Sequence, residues 1–470
     1  MVRFIISGKY IVSLILVCTI FLLNCATFYE QNIRFQQQFV QGNFESADGV
    51  LNKNKKAAKD KNRLLYFLQK GVVIQLLGRY EESNQFFEEA YLFTEDFQKN
   101  FILDAAGLFT NPNVKPYSGE DFEIVMIHYY KALNYLFLGK SEESLIECRR
   151  MNIKLNEFND RYSKRKNRYK RDAFILNLMG IVYEANTEVN NAYISYRNAL
   201  EAYEEDYSLH FGINPPKQLI HDLMRTAYLN GFKEDLAGYE KKYGLRYEHQ
   251  VRDQGELIFF WHNGLGPVKD EWSLNFFIVK GKGSLVTFVN EDMGLTFPFM
   301  MDGGSGGGGL GDLKFVRVAF PKYREREAYY RSAEIVVNTA RYTLEVSENI
   351  NAIAFAVLED RMVRELANSI LRLAIKQAAE QAVRKKNENI GALLSVTNAL
   401  SEKTDTRNWQ TLPYHISYAR IPLPKGENQM ELICQSPRKT RKYSHPFSVH
   451  IADKETQFYL FHTLKSIPLE

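Results

Sequence analysis

From Phe122 to Asn152 the chain reads FEIVMIHYYKALNYLFLGKSEESLIECRRMN. Apolar residues recur at Ile127, Tyr130, Leu133, Tyr135, Leu136 and Leu138, the spacing of one face of a helix. Gly139-Lys140 interrupts it, and a second helix follows with Ser144, Leu145, Cys148 and Met151 on its inward side. Two helices joined by a short glycine turn make an αα-hairpin. Such a hairpin cannot bury both faces alone, so it needs neighbours of its own kind.

Overlaying the chain on itself finds them. Gly71, Ala132 and Gly180 fall at one equivalent place, and Gly78, Gly139 and Thr187 follow seven residues later in the turn. Ser83, Ser144 and Ala192 occupy a small-residue position. Phe87, Cys148 and Tyr196 occupy a bulky one, and Ala90, Met151 and Ala199 come next. Small residues let paired helices approach closely while the bulky one fills the gap between repeats. This is the tetratricopeptide (TPR) pattern, whose period is about 34 residues. Fainter copies surround Gly42 to Ala47 and Tyr228 to Tyr239, the second with Gly231 in its turn. Gly42, Gly78, Gly139 and Thr187 lie 36, 61 and 48 residues apart, so insertions sit between repeats.

At 470 residues the chain has room for two or three domains. Its 45% hydrophobic and 25% charged residues are those of a folded protein. A net charge of only +4 offers no basic field for nucleic acid. Four cysteines are too few for a disulfide scaffold. Cys148 takes a packing position, and whether it pairs with Cys434 is open from sequence.

Arg3 and Lys9 precede an apolar run of 14 residues, Tyr10 to Leu23, and Asn24-Cys25 follow. That run is shorter than the ~20 residues of a membrane span and fits an export signal. The cysteine directly after it resembles the lipobox of bacterial lipoproteins, with Leu22 in the branched aliphatic position. Asn24 departs from the usual Gly, Ala or Ser. The resemblance implies a signal peptide over 1–24, lipidation of Cys25 and attachment to a membrane through that lipid. Ala26, instead of the Asp that retains enterobacterial lipoproteins in the inner membrane, implies the outer membrane facing the periplasm. An inner-membrane anchor and a soluble exported protein remain alternatives.

Residues 25–245 are therefore expected to form a TPR-like α-solenoid. The basic runs Lys53 to Arg63 and Arg161 to Arg171 are expected to be solvated. Beyond Gly244 the period changes. Strands are expected at Leu257 to Trp261, Leu274 to Val279, Ser284 to Val289, Phe315 to Phe320, Glu334 to Val337, Met430 to Cys434, Phe447 to Ile451 and Gln457 to Leu464. One long helix is expected over Asn349 to Asn387, with a stripe at Leu358, Met362, Leu366, Ile370 and Leu373. Residues 250–470 thus read as an α+β domain. The glycine-rich stretch 302–312 lacks the Lys-Ser/Thr of a phosphate loop and reads as a flexible connection.

Two segments carry a family resemblance. One is Tyr117 to Glu123 followed by His128 to Tyr135; the other is DTRNWQTLP, Asp405 to Pro413, with Ala419 to Pro424. Together they resemble a family of bacterial TPR-containing envelope lipoproteins, whose genes often accompany a lipoprotein related to penicillin-binding-protein activators. The resemblance implies an exported envelope component and brings no catalytic residues with it. Asp405, Arg407 and Trp409 alternate, so on an extended strand they share a face. Arg407 is expected to pair with Asp405 and lie over the Trp409 indole, or else this segment and Pro413 form a contact surface. The nine histidines show no metal-ligand spacing, and no nucleophile elbow is present. No cofactor is implied. The expected role is a non-enzymatic adaptor whose concave solenoid face takes an envelope protein or peptide. The alternative is a peptidoglycan-binding or cell-wall-acting protein using the second domain.

Overall fold

The computed structural model describes residues 32–101, 115–162, 167–249, 254–281, 285–300, 315–384, 404–437 and 442–468. The export signal, Cys25 and the glycine-rich stretch 302–312 lie outside them. Helices come first: α1 (32–40), α2 (Phe44–Lys53), α3 (Arg63–Leu76), α4 (Tyr80–Phe101), α5 (Asp121–Phe137), α6 (Ser141–Arg161), α7 (Ala173–Ala185), α8 (Val189–Ala202), the short α9 (Ser208–His210), α10 (Lys217–Leu229) and α11 (Lys233–Tyr243).

The same turn closes five helical pairs. Gly42, Gly78, Gly139, Thr187 and Gly231 have φ between 63° and 78°. In each turn the next residue donates its N–H five positions back, as Lys140 does to Tyr135 at 2.8 Å and Glu188 to Tyr183 at 2.8 Å. This Schellman geometry satisfies carbonyls that the helix end would leave orphaned. Thr187 adopts it with a β-branched side chain, at a cost of about 1–2 kcal/mol. Thr187→Gly relieves that strain and adds some unfolded-state entropy. The expected net effect is a stabilisation of about 0.5–1 kcal/mol, read as a rise in the urea midpoint.

Within the pairs, volumes are complementary. A Cβ added at Gly71 would sit 2.6 Å from the Phe87 ring, and one at Gly180 would sit 2.4 Å from the Tyr196 ring. In the middle pair Ala132 has its Cβ, and the facing residue shrinks to Cys148. All three facing residues are fully buried. Cys148 and Cys434 are separate buried thiols, so the two do not pair. Burial pushes the Cys434 thiol up to about 12.

Among the described residues twelve strands follow, in three four-stranded sheets. They are β1 (Gly255–Asn263), β2 (Val268–Lys280), β3 (Leu285–Asn290), β4 (Leu295–Met300), β5 (Phe315–Arg324), β6 (Ser332–Val337), β7 (Ala340–Thr343), β8 (Glu345–Asn349), β9 (His415–Leu423), β10 (Gly426–Gln435), β11 (Lys442–Ile451) and β12 (Thr456–Thr463). The orders are β12-β1-β9-β8, β11-β10-β6-β7 and β4-β3-β2-β5. The long helix α12 (Ile350–Arg384) lies between β8 and β9 in sequence.

Strand β1 positions everything else. It is buried along its whole length. Leu257, Phe259 and Trp261 pack on the second sheet with Ile335, Leu432 and Cys434. Ile258 and Phe260 point the other way and join the helical core around Phe174, Tyr129 and Tyr130. That core also takes in Ile353, Ala354, Val357 and Leu358 of α12, Ile416 and Tyr418 of β9, and Trp409. Further along, Leu366 and Ile370 of α12 cover the third sheet at Phe276, Phe288, Val318 and Phe320. The helical and β-rich halves therefore share one apolar core.

Candidate functional site

The first helices of the pairs, α3, α5 and α7, are buried nearly all round, whereas the second helices keep an exposed side. What covers the first-helix face is the chain's own β-rich half. Tyr129 donates to or accepts from His262 Nε2 at 2.9 Å, and Phe174 meets Phe260 edge-on. Tyr203 Oη donates to the Ser347 carbonyl at 2.8 Å. Arg168 binds Asp360 at 2.8 Å and the Ala356 carbonyl at 3.0 Å. The concave face expected to receive a partner is thus filled from within. The basic stretch ending at Arg171 is correspondingly not all solvated: Arg168 ties the helices to α12, and Arg171 pairs with Glu201, Glu205 and Asp206.

The two segments singled out in the sequence meet each other here. Arg407 pairs with Asp405 at 2.6 Å, as expected. The segment is irregular, however, and not a strand. The Arg407 guanidinium lies 5.4 Å over Tyr117 and not over Trp409, and it donates to the carbonyls of Lys61 and Lys115. Asp405 and Arg407 thus grip the helices instead of lying on a sheet. Trp409 is buried between Phe87 and Tyr130, donates its indole N–H to Thr411, and donates its backbone N–H to Glu123 at 2.7 Å. Pro413 is buried beside Gly266. Asp405, Arg407 and Trp409, with Glu123 and Tyr117, form a clamp between the halves.

Two carboxyls in the clamp titrate in opposite directions. Burial opposes the charge on Glu120, but Arg361 and Lys269 override it and bring the group down to about 2. Burial and then the charge of Glu120 push Glu123 up to about 7, against Lys269 and the donors Trp409 N–H and Tyr117 Oη. Glu120 therefore contributes stability above the ordinary carboxyl range that is lost as pH falls toward 2. Glu123 contributes stability at low pH that is lost as pH rises from about 4.5 to about 7, amounting to about 3 kcal/mol. The urea midpoint is expected to fall between pH 5 and pH 8, and Glu123→Gln is expected to remove that part of the slope while lowering stability at pH 5.

Two other buried polar groups join helices to sheet, and the sequence reading missed both. Arg420 on β9 reaches Glu256 at 2.5 Å, Glu184 at 3.0 Å, Asp222 at 3.2 Å and the Tyr196 hydroxyl at 3.0 Å. Arg225 shares Glu184 and Asp222 at 2.6 Å each. Asp172, which caps α7 by accepting from Ile175, faces Glu348 on β8, and burial followed by their mutual charge pushes Glu348 well up. A lone arginine amid the apolar run around Ile421 was the available signal for the first of these.

The exposed side of the second helices carries the open surface. A groove of about 500 Å³ has α4 and α6 as walls, Lys131 and Tyr135 of α5 as floor, and Leu138 and Lys140 of the following turn at one end. A smaller one of about 290 Å³ lies between α6 and α8, lined by Leu155, Asn156, Leu176 and Asn198 among others. Leu92, Ile146, Ile153 and Ile194 stand exposed on the same three helices. Among the described residues no cluster of His, Cys, Asp or Glu could hold a metal, and no helix is long and apolar enough to cross a membrane.

No family model matches the chain, and no curated protein matches it. Among solved structures it is similar to the MamA protein, with 12% identity over 47% of this chain and 97% of that one and a TM-score of 0.29. It is similar to BtubC (BKLC) from P. vanneervenii at 14% identity over 48% of this chain and 85% of that one, TM-score 0.33. A kinesin light chain with nearly identical TPR-like repeats from Podosopora anserina gives 13% identity over 46% and 92%, TM-score 0.30. Likeness of that degree carries no weight alone; the turns and packing of this chain establish its repeat.

Proposed function

We propose that the protein is a lipid-anchored scaffold of the bacterial envelope that binds another protein through the outer side of its helical stack. The observation that carries this reading is the pair of consecutive open grooves between α4, α6 and α8, flanked by exposed aliphatic side chains. The inner face is occupied by β1, β9 and α12, so the sheets serve as a permanent brace for the stack. Ile146 is both 46% exposed and part of the larger groove's wall, so a partner entering that groove meets apolar surface beside its polar groups. The anchor is supported by the basic start, the short apolar run and Cys25.

Photo-crosslinking residues placed at Ile146, Ile153 and Ile194 in cells are expected to trap one discrete partner. The same reagent at Leu209, which is exposed on the short helix α9, is expected to trap none. Equal trapping at all four positions would refute the scaffold surface. Mass spectrometry of the mature amino terminus, with Cys25→Ala as control, is expected to show acyl chains on Cys25 in the wild type. An unmodified start at Met1 would remove the anchor.

A further inference from the structure

The larger groove has a more particular character than a gap between helices. Its α4 wall presents Glu81, Asn84, Gln85 and Glu88, and its α6 wall presents Glu143, Ile146, Glu147 and Arg150. The charges at one end are mutually neutralised: Lys131 pairs with Glu88 and Glu147, and Arg150 pairs with Glu147. At the other end Glu81 and Glu143 are exposed, have no ion-pair partner among the described residues, and together outnumber the one cation that lines this end, the exposed Lys140. Between the two ends sits Asn84, only 8% exposed. Its Oδ1 accepts from Asn134 at 2.8 Å, while its Nδ2 has no hydrogen-bond partner among the described residues. A buried amide donor left unpaired costs about 1–3 kcal/mol, so a ligand that accepts from it recovers that energy.

Resting on the scaffold reading above, we propose that this groove binds an extended segment of a partner protein carrying a lysine or arginine. Two turns of helix, Glu81 to Glu88, span about 10 Å, the length of three extended residues. The partner's cation sits between Glu81 and Glu143. One of its backbone carbonyls accepts from Asn84 Nδ2, and an aliphatic neighbour lies on Ile146, which is 46% exposed. The chain's overall charge of +4 acts against a cationic ligand, so binding of one must come from a local acidic site.

The test is fluorescence anisotropy with the full acylated chain in neutral detergent. The probes are a fluorescein-labelled nonapeptide of alternating lysine and alanine and its glutamate counterpart. The lysine peptide is expected to bind at least tenfold tighter. Glu81→Lys with Glu143→Lys, both at exposed positions, is expected to reverse that preference. Asn84→Leu is expected to weaken the lysine peptide about fivefold while keeping the preference. Unchanged lysine-peptide binding in the charge-reversed variant, or no preference in the wild type, would overturn the assignment. A crosslinked partner found at Ile194 but not at Ile146 would leave the scaffold reading standing and remove this groove from it.

Discussion

Gly71→Ala is expected to cost about 3 kcal/mol of folding stability, and most of that cost is expected to vanish when Phe87 is replaced by Cys in the same chain. The added methyl would meet three ring atoms of Phe87 at 2.6–2.8 Å, inside any tolerable contact. Phe87 cannot withdraw, because its ring is stacked 5.3 Å from Tyr130 and lies 6.0 Å from Trp409. Overpacking of a closed core typically costs about 1–3 kcal/mol, and a site held on every side belongs at the top of that range. Phe87→Cys alone is expected to cost about 3–4 kcal/mol through the cavity it leaves. The double variant reproduces the Ala132 and Cys148 pairing of the next repeat. Its loss is expected to fall short of the sum by about 2 kcal/mol, a coupling read directly from a double-mutant cycle in urea. Strict additivity would mean that the repeat positions do not face each other as the fold requires.

That interchange explains why the helical half was legible from sequence. The turn glycines and the small–bulky pairs are set by backbone geometry within about 20 residues, so each repeat carries its own signature. The helix α12 was legible for the same reason, its predicted span Asn349 to Asn387 meeting the observed Ile350–Arg384. Strand β9 was not. It contains Pro422 and Arg420, which argue against a central strand when read locally. Pro422 is tolerated opposite Glu256, and Arg420 is answered by carboxyls from α7, α10 and β1. Those partners lie more than 160 residues away in sequence.

The clamp was half legible for a related reason. The Asp405–Arg407 pair is local, and spacing alone brings the two together. The ring beneath Arg407 belongs to Tyr117, which no periodicity connects to residue 407. Strand alternation suggested Trp409 because it falls two residues beyond Arg407, whereas in the fold the segment is irregular and the indole packs in the gap between α4 and α5. The same blindness hid the filled inner face. A solenoid read from its repeats shows a groove, and only the tertiary structure shows that β1 and β9 occupy it.

Replacing Arg420 with Leu is the change expected to separate the two halves most effectively. The guanidinium is 2% exposed, and it holds three carboxylates that come from two helices and a strand. Without it Asp222, itself fully buried, and Glu184 share Arg225 as their cation, with Gln218 donating to Asp222 and the Tyr196 hydroxyl to Glu184, while Glu256 loses the short Arg420 contact and keeps the Thr456 hydroxyl at 3.1 Å. Removing one partner from such a buried network costs about 3–5 kcal/mol, because the remaining charges stay desolvated. The deficit is expected to depend on pH with a definite sign. Carboxyls deprived of their cation take up protons more readily in the folded state than in the unfolded one. The stability of the variant should therefore be least impaired near pH 5 and fall as pH rises to 8. Hydrogen exchange should locate the loss at β1 and β9 before it reaches the turns of α5 and α6. Uniform loss of protection, or a deficit unchanged from pH 5 to pH 8, would show that Arg420 acts through packing alone and not by holding the sheet to the helices.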